Sequence, residues 1–256
     1  MVKITIDNVE QFKVFFDTVF DVASDSVELK FYTDHLTCAL LDGNRARFFY
    51  VEYEMKFFEE YDVEETTSVV VSLEDMFKLL KISKNTDTLT LEFDETKMYA
   101  ECISSNGNKR VFEFVLPDDY VQSPTLPQVQ LPSHIEVAVD DIERSIKDIG
   151  MFGVDIFQFV LSENTITFMS DTTTDIHSTN TVKYAQIIEA ETGVTDVLAV
   201  RFTLSFIEQM CKFKKISKSV SLDVGEVALV YKFRDEVMGV TVNGMIAPRV
   251  EIEEDE

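Results

Sequence analysis

Apolar residues recur along this chain in two rhythms. Four segments carry the helical one. In residues 8–20, Phe12, Phe15, Phe16 and Val19 fall at i, i+3, i+4 and i+7. In residues 72–84, Ser72 offers a cap, Glu74 and Asp75 suit the first turn, and Met76, Phe77, Leu79 and Leu80 supply the apolar side. Residues 139–151 open with Asp140 and Asp141 and then repeat Ile142, Ile146 and Ile149, and residues 203–218 carry Leu204, Phe206, Ile207, Met210 and Phe213. Most of the remainder alternates with period two and predicts strands, among them 3–6, 48–54, 68–71, 98–103, 110–116, 182–188, 197–202, 228–233 and 240–242.

The pattern is written twice. Residues 77–84 read Phe-Lys-Leu-Leu-Lys-Ile-Ser-Lys, and 211–218 read Cys-Lys-Phe-Lys-Lys-Ile-Ser-Lys, with Met76 and Met210 before them in register. Residues 26–42 and 155–171 share a plan as well. Each is an apolar strand, a polar turn (Thr33-Asp34-His35 or Ser162-Glu163-Asn164), a second strand and a closing Asp. Self-similarity at about half the chain length implies two copies of one α+β domain, each running helix, strands, helix, strands. The copies are expected at 1–116 and 133–256. Between them, 117–132 holds four of the five prolines and predicts an extended, semi-rigid connector. The acidic end, 251–256, predicts a solvated tail.

Composition narrows the chemistry. The chain has 256 residues, 45% of them apolar, enough for two real cores. Neither a membrane-length apolar run nor a signal peptide is expected. Cys38, Cys102 and Cys211 fit no zinc spacing or disulfide framework and point to a reducing, intracellular compartment. His35, His134 and His177 have no metal-like spacing and no base-orienting partner, so no catalytic role, metal or cofactor is expected. The acidic run 171–175 lacks the glycine and spaced ligands of a calcium loop.

The net charge of −24 argues against general adhesion to nucleic acid. Its distribution does not. The four helical segments hold ten basic and nine acidic residues, a net of +1, which leaves −25 elsewhere. The acids sit mostly in first turns. The bases are Lys13, Lys78, Lys81, Lys84, Arg144, Lys147, Lys212, Lys214, Lys215 and Lys218, several of them at i, i+3. Matching positions in both copies predict a shared basic face.

With these features the chain resembles sliding clamps of the proliferating cell nuclear antigen family, closer to the archaeal members. The resemblance rests on VSLEDMFKLLK (71–81), RSIKDI (144–149), LLDGNRARFF (40–49), the end IAPRVEIEEDE (246–256) and the position of the connector. It implies the DNA-clamp fold: two similar domains per subunit, outer sheets, inner helices, and a head-to-tail homotrimeric ring around duplex DNA. The expected partners are DNA polymerase, an ATP-dependent clamp loader, and other clamp-peptide proteins such as ligase and flap nuclease, with no membrane. The setting would be cytoplasmic in an archaeon and nuclear in a eukaryote. By position, the resemblance puts a partner-peptide pocket at Leu41, Ala46, Leu126, Val129, Ile246, Ala247 and Pro248. It puts subunit contacts at Lys109, Arg110, Phe112 and Phe114 on one edge strand, and at Val182, Lys183 and Tyr184 on another, taken as 181–188. The alternative is a subunit of a heterotrimeric or checkpoint-type clamp. A monomeric processivity factor, marked by salt-sensitive affinity for linear DNA, is a third reading. Three departures from the family pattern stand out: Phe20 where a second basic residue is common, Asn243-Gly244 in a long last strand, and Met245 where an aromatic is common.

Overall fold

The computed structural model describes residues 1–20, 22, 25–162, 165–170, 178–183, 187–192 and 198–249, with backbone alone at 182, 183 and 187–192. The first series of elements is β1 (Val2–Ile6), α1 (Val9–Val19), β2 (Ser26–Phe31), β3 (His35–Leu41), β4 (Arg47–Glu54), β5 (Glu60–Asp62), β6 (Thr67–Ser72), α2 (Leu73–Ile82), β7 (Thr88–Phe93), β8 (Lys97–Ile103) and β9 (Lys109–Val115). The second is β10 (Ser133–Ala138), α3 (Val139–Gly150), β11 (Ile156–Ser162), β12 (Thr165–Ser170), β13 (Thr179–Lys183), β14 (Ile187–Thr192), β15 (Leu198–Thr203), α4 (Leu204–Cys211), β16 (Ser219–Val224), β17 (Leu229–Asp235) and β18 (Val240–Ile246). Element for element, the second series repeats the first.

Strand pairing repeats too. One compact unit comprises Met1–Leu126 with Arg234–Val242, and the other Pro127–Phe233 with Asn243–Glu256. In the first, one sheet runs β5-β1-β7-β8-β9 and another β4-β3-β2-β6. In the second, the orders are β14-β10-β16-β17 and β13-β12-β11-β15. Thus β1 lies between β5 and β7 as β10 lies between β14 and β16, all antiparallel. Alternation sorts each strand. Val27, Leu29 and Phe31 of β2 are buried, while Glu28 and Lys30 face the other side, half-exposed.

The helices form where periodicity, caps and first-turn acids agree. The Ser72 hydroxyl accepts from the Asp75 amide at 3.2 Å, and Asn8 does the same for Gln11 at 3.3 Å. α1 buries Phe12 against Tyr53, Phe16 and Phe57, with ring centroids 5.1–6.5 Å apart. α2 buries Leu73, Met76, Leu79 and Leu80, and the Ser83 hydroxyl ends it by donating to the Leu79 carbonyl. Each such buried side chain contributes about 1.5–3 kcal/mol. Among the described residues no helix is long and apolar enough to cross a membrane.

Two expectations change. The segment 203–218 is not one helix: α4 stops at Cys211, and Lys212–Lys215 winds as a 3-10 turn. The tighter winding keeps Phe213 buried, with its ring 6.3 Å from Tyr231 and 5.8 Å from Phe233. The single strand expected at 182–188 is two: β13 ends at Lys183 beside β12, and β14 begins at Ile187 beside β10. The run V-K-Y-A-Q-I-I has neither Gly nor Pro to mark where the chain changes sheets.

Asn243-Gly244 lies within the last strand, as the sequence places it. The reversal before β18 is built on Asp235, which accepts from the amides of Val237 and Met238, and on Gly239 at φ 74°. Gly244 lies inside β18, where a Cβ would sit 2.0 Å from Cζ of the buried Tyr231. The missing side chain is the space the tyrosine ring fills. Gly244→Ala is therefore expected to destabilise the protein by about 1–3 kcal/mol, read as a lower urea midpoint; an unchanged midpoint would show that the ring can move aside.

Candidate nucleic-acid interface

In the first unit the helical residues meet through aromatics. Phe20, just past α1, stacks on Phe77 of α2 with centroids 4.1 Å apart and planes 10° from parallel. Lys81 lies over the same Phe77 ring at 5.5 Å. Phe20 thus replaces a second charge with a stack that helps hold Lys81. Lys13, the one base on α1, is half-buried and 4.0 Å from Asp17.

In the second unit an ion pair does the corresponding work. Lys214, in the 3-10 turn, donates to Glu143 of α3 at 2.6 Å and lies 3.6 Å from Asp140. Glu143 also holds Lys147 at 3.1 Å. The hydrogen bond from Lys214 keeps the Glu143 carboxyl below its ordinary value, against the opposing effect of burial, with Lys147 adding to the depression. The same bond raises Lys214. Sequence spacing flags the i, i+4 pair with Lys147. Nothing in it links Glu143 to Lys214, 71 positions away.

The ten predicted bases therefore fall into two kinds. Lys13, Lys78, Arg144, Lys147 and Lys214 each have a carboxylate within 4.0 Å. Lys81, Lys84, Lys212 and Lys218 are exposed and make no ion pair among the described residues. Lys215 is exposed as well. Exposed, solvated ammonium groups attract phosphate at long range without fixed geometry. The attraction is screened within about 8–10 Å at ordinary salt. Such a surface supports contact with nucleic acid without sequence readout.

The predicted subunit-contact residues lie on strands with one open edge. β9 is last in its sheet and β13 last in its own. On β9, Phe112 and Phe114 stack at 6.4 Å on one side, while Val111 and Val115 on the other are 60% and 74% exposed. Lys109 and Arg110 are not idle charges. Lys109 pairs with Glu101, and Arg110 donates to the Ile82 carbonyl at 3.1 Å and to the buried Asp87 at 2.7 Å. Arg110 thereby braces the end of α2. Val182 and Lys183 belong to β13, and Tyr184 lies outside the described residues.

The predicted pocket residues divide between the units. In the first, Leu41 and Ala46 flank a turn fixed by Asp42, whose carboxylate accepts from the amides of Ala46 (2.7 Å) and Arg47 (3.1 Å) and from the Arg47 side chain (2.9 Å). Arg45 in that turn takes φ 56°. Leu126 is 37% exposed. In the second, Val129 is 39% exposed and Ala247 and Pro248 are half-buried, but Ile246 is only 2% exposed. Ile246 is a core residue because alternation along β18 turns it inward with Val240 and Val242. Residues 116–131 have no regular secondary structure, as the prolines require.

Comparison with known proteins fits this geometry. Residues 1–117 match the model of the proliferating cell nuclear antigen N-terminal domain. A DNA polymerase sliding clamp of Methanothermobacter thermautotrophicus is 24% identical over 258 residues, spanning 99% of this chain and all of that protein. DNA polymerase sliding clamp 3 of Sulfurisphaera tokodaii is 27% identical over 89% of this chain and 91% of its own length. The fold matches proliferating cell nuclear antigen from Thermococcus kodakaraensis with a TM-score of 0.85 at 18% identity, over 97% of this chain and all of that one. It matches a chain of the PCNA2–PCNA3 complex from Sulfolobus tokodaii with a TM-score of 0.83 at 23% identity, again over 97% and 100%.

The Glu143–Lys214 pair gives a pH-dependent outcome. A carboxylate held below its ordinary 4.5 stabilises the fold fully above that value, and the contribution disappears as pH falls through the folded value. Glu143→Gln should therefore cost about 0.5–1 kcal/mol near neutrality and nothing in acid. Urea unfolding of both forms from pH 7 to 3 checks it; a gap independent of pH would mean the pair contributes nothing.

Proposed function

We infer that this chain, which belongs to the proliferating cell nuclear antigen family, is a DNA sliding clamp: a ring subunit that encircles duplex DNA and tethers a polymerase to it. Its clamp domains are 1–116 and 133–256, with 117–132 as the connecting loop. The observation that carries the reading is the pairing of an internal duplication with open strand edges at β9 and β13. Within the first unit, β18 begins beside β4: the Glu54 amide at the end of β4 donates to the carbonyl of Gly239, just before β18. By element order β18 is the counterpart of β9, and β4 of β13. The chain thus already makes this strand pair once. Repeating it between copies, β9 of one against β13 of the next, satisfies both edges by a head-to-tail contact that closes if the rotation permits. Phe112, Phe114, Val182 and Lys183 are the contacts we assign, and exposed Val111 and Val115 support an interface on that strand.

Charge supports the rest. The acidic exterior repels phosphates, and the lysines of the helical segments give the duplex one tolerable surface. Holding is then topological, and weak contacts permit sliding. The chain acts as a non-enzymatic scaffold. Leu41, Ala46 and Leu126 of the first unit, and Val129, Ala247 and Pro248 of the second, are the residues we assign to docking peptides of polymerase, ligase or nuclease. We propose three identical subunits. The likeness to the PCNA2–PCNA3 complex supports a second reading, a ring of unlike subunits. The protein works where the DNA is: the cytoplasm of an archaeon or the nucleus of a eukaryote.

Absolute mass by light scattering tests the assembly. Three chain masses, independent of concentration, are expected; a stable monomer would overturn the homotrimer and leave the mixed ring. Charge reversal tests the DNA face. Lys84→Glu, Lys212→Glu and Lys218→Glu together should reduce clamp-dependent primer extension at least tenfold while the mass is kept, because these charges have no partner among the described residues. Lys78→Glu with Lys147→Glu should do less, because both lysines are already held by acids of their own helices. Equal extension by all forms would place the DNA elsewhere.

A further inference from the structure

The connector is long, proline-rich and without a ladder, yet one of its residues makes a short polar contact with a sheet. The Ser123 hydroxyl donates to a carboxylate oxygen of Glu28 at 2.5 Å. Glu28 sits on β2, which is paired on both sides, with β3 and β6. It points away from the core, opposite Val27 and Leu29. A glutamate on that face has solvent as its ordinary partner. Here it is partly buried, and burial alone would raise it. Hydrogen bonds from the Ser123 and Ser68 side chains and from the Ser123 amide outweigh that and hold it ionised. The connector therefore supplies both a hydroxyl and a backbone amide to one carboxylate. Pro124 follows at once, fixing φ and restricting the conformation of Ser123. Leu126, 37% exposed, lies three positions on in the same unit.

We propose that Glu28 and Ser123 form a latch that holds the connector on β2, and that Glu28 is thereby the positioning residue for Leu126. The coupling to docking rests on the function proposed above; the latch itself does not. A hydrogen bond to an ionised group contributes more than a neutral one, about 1.5–3 kcal/mol. A segment with no ladder has little else to replace it. The latch is also sensitive to charge. Any negative group placed on Ser123 faces the Glu28 carboxylate and is repelled, whereas a cation at position 28 would accept it. Sign therefore separates a latch from mere packing.

The experiment uses the full-length protein in four forms: unaltered, Glu28→Ala, Ser123→Asp, and Ser123→Asp combined with Glu28→Lys. Amide exchange across 117–126 reads the latch directly. Glu28→Ala and Ser123→Asp should each speed exchange there about tenfold or more, with other segments unchanged, and the charge-swapped pair should restore protection. Equal exchange in all four forms, or loss without recovery in the swapped pair, overturns the latch. Binding of a synthetic peptide carrying a glutamine, an aliphatic and two aromatic residues reads the coupling. Affinity should fall with Ser123→Asp and return with the pair. Lost protection with unaltered affinity overturns the positioning role. If the unaltered protein binds no such peptide, the docking reading fails while the exchange result still decides the latch.

Discussion

An antiparallel strand satisfies its backbone on both sides only if it has two neighbours, and this molecule is organised by where that condition is met and where it is not. Within each unit the duplicated series of strands closes most edges. Each sheet still ends in terminal strands, and two of these, β9 and β13, each keep one edge outside the ladder. Such edges are hazards in a monomer. Here the duplication offers a remedy, since the chain already lays the counterpart of one beside the counterpart of the other. Arg110 shows how the edge is kept ready. Its side chain is committed inward, to Asp87 and the Ile82 carbonyl, and so braces the end of the neighbouring helix.

Charge is handled with similar economy. A chain at −24 cannot bind nucleic acid with its general surface. The helical segments hold their lysines in two states. Some are neutralised by acids one turn away or on the neighbouring helix, which contributes a little stability and removes adhesion. Others, Lys81, Lys84, Lys212 and Lys218, are solvated and make no ion pair among the described residues. The two units join their helices by different means, an aromatic stack at Phe20–Phe77 and an ion pair at Glu143–Lys214, yet leave a comparable basic surface. This is consistent with a contact whose requirement is modest positive charge rather than particular geometry.

Much of the fold was legible because periodicity is a local property. The helices, the ladder-free connector and the Ser72 cap follow from residues a few positions apart, and the duplication from such local patterns written twice. What escaped was non-local or lacked punctuation. Nothing marks the passage from β13 to β14, because 182–188 contains neither Gly nor Pro. The 3-10 turn at Lys212–Lys215 places Phe213 beside Tyr231 and Phe233, partners that only the packed core brings together. The basic residues could be named from sequence, but which of them are neutralised could not. Lys214 meets Glu143 across helices, and Arg110 meets Asp87 from a strand to a loop. Ile246, assigned by resemblance to a pocket, proves to be core, because position in a family motif does not fix which side of a strand faces inward. Glu28 drew no notice, because a lone glutamate on a strand looks solvated until the connector covers it.

Gly244 and Tyr231 carry a consequence for the history of this chain. The ring occupies the volume that any side chain at 244 would need, so the two positions behave as a single locus. Neither can drift alone. A lineage that gains a side chain at 244 must shrink residue 231 in the same step or pass through a destabilised intermediate. The glycine of the Asn-Gly dipeptide is then one half of a single packing unit whose other half, Tyr231, lies on the preceding strand.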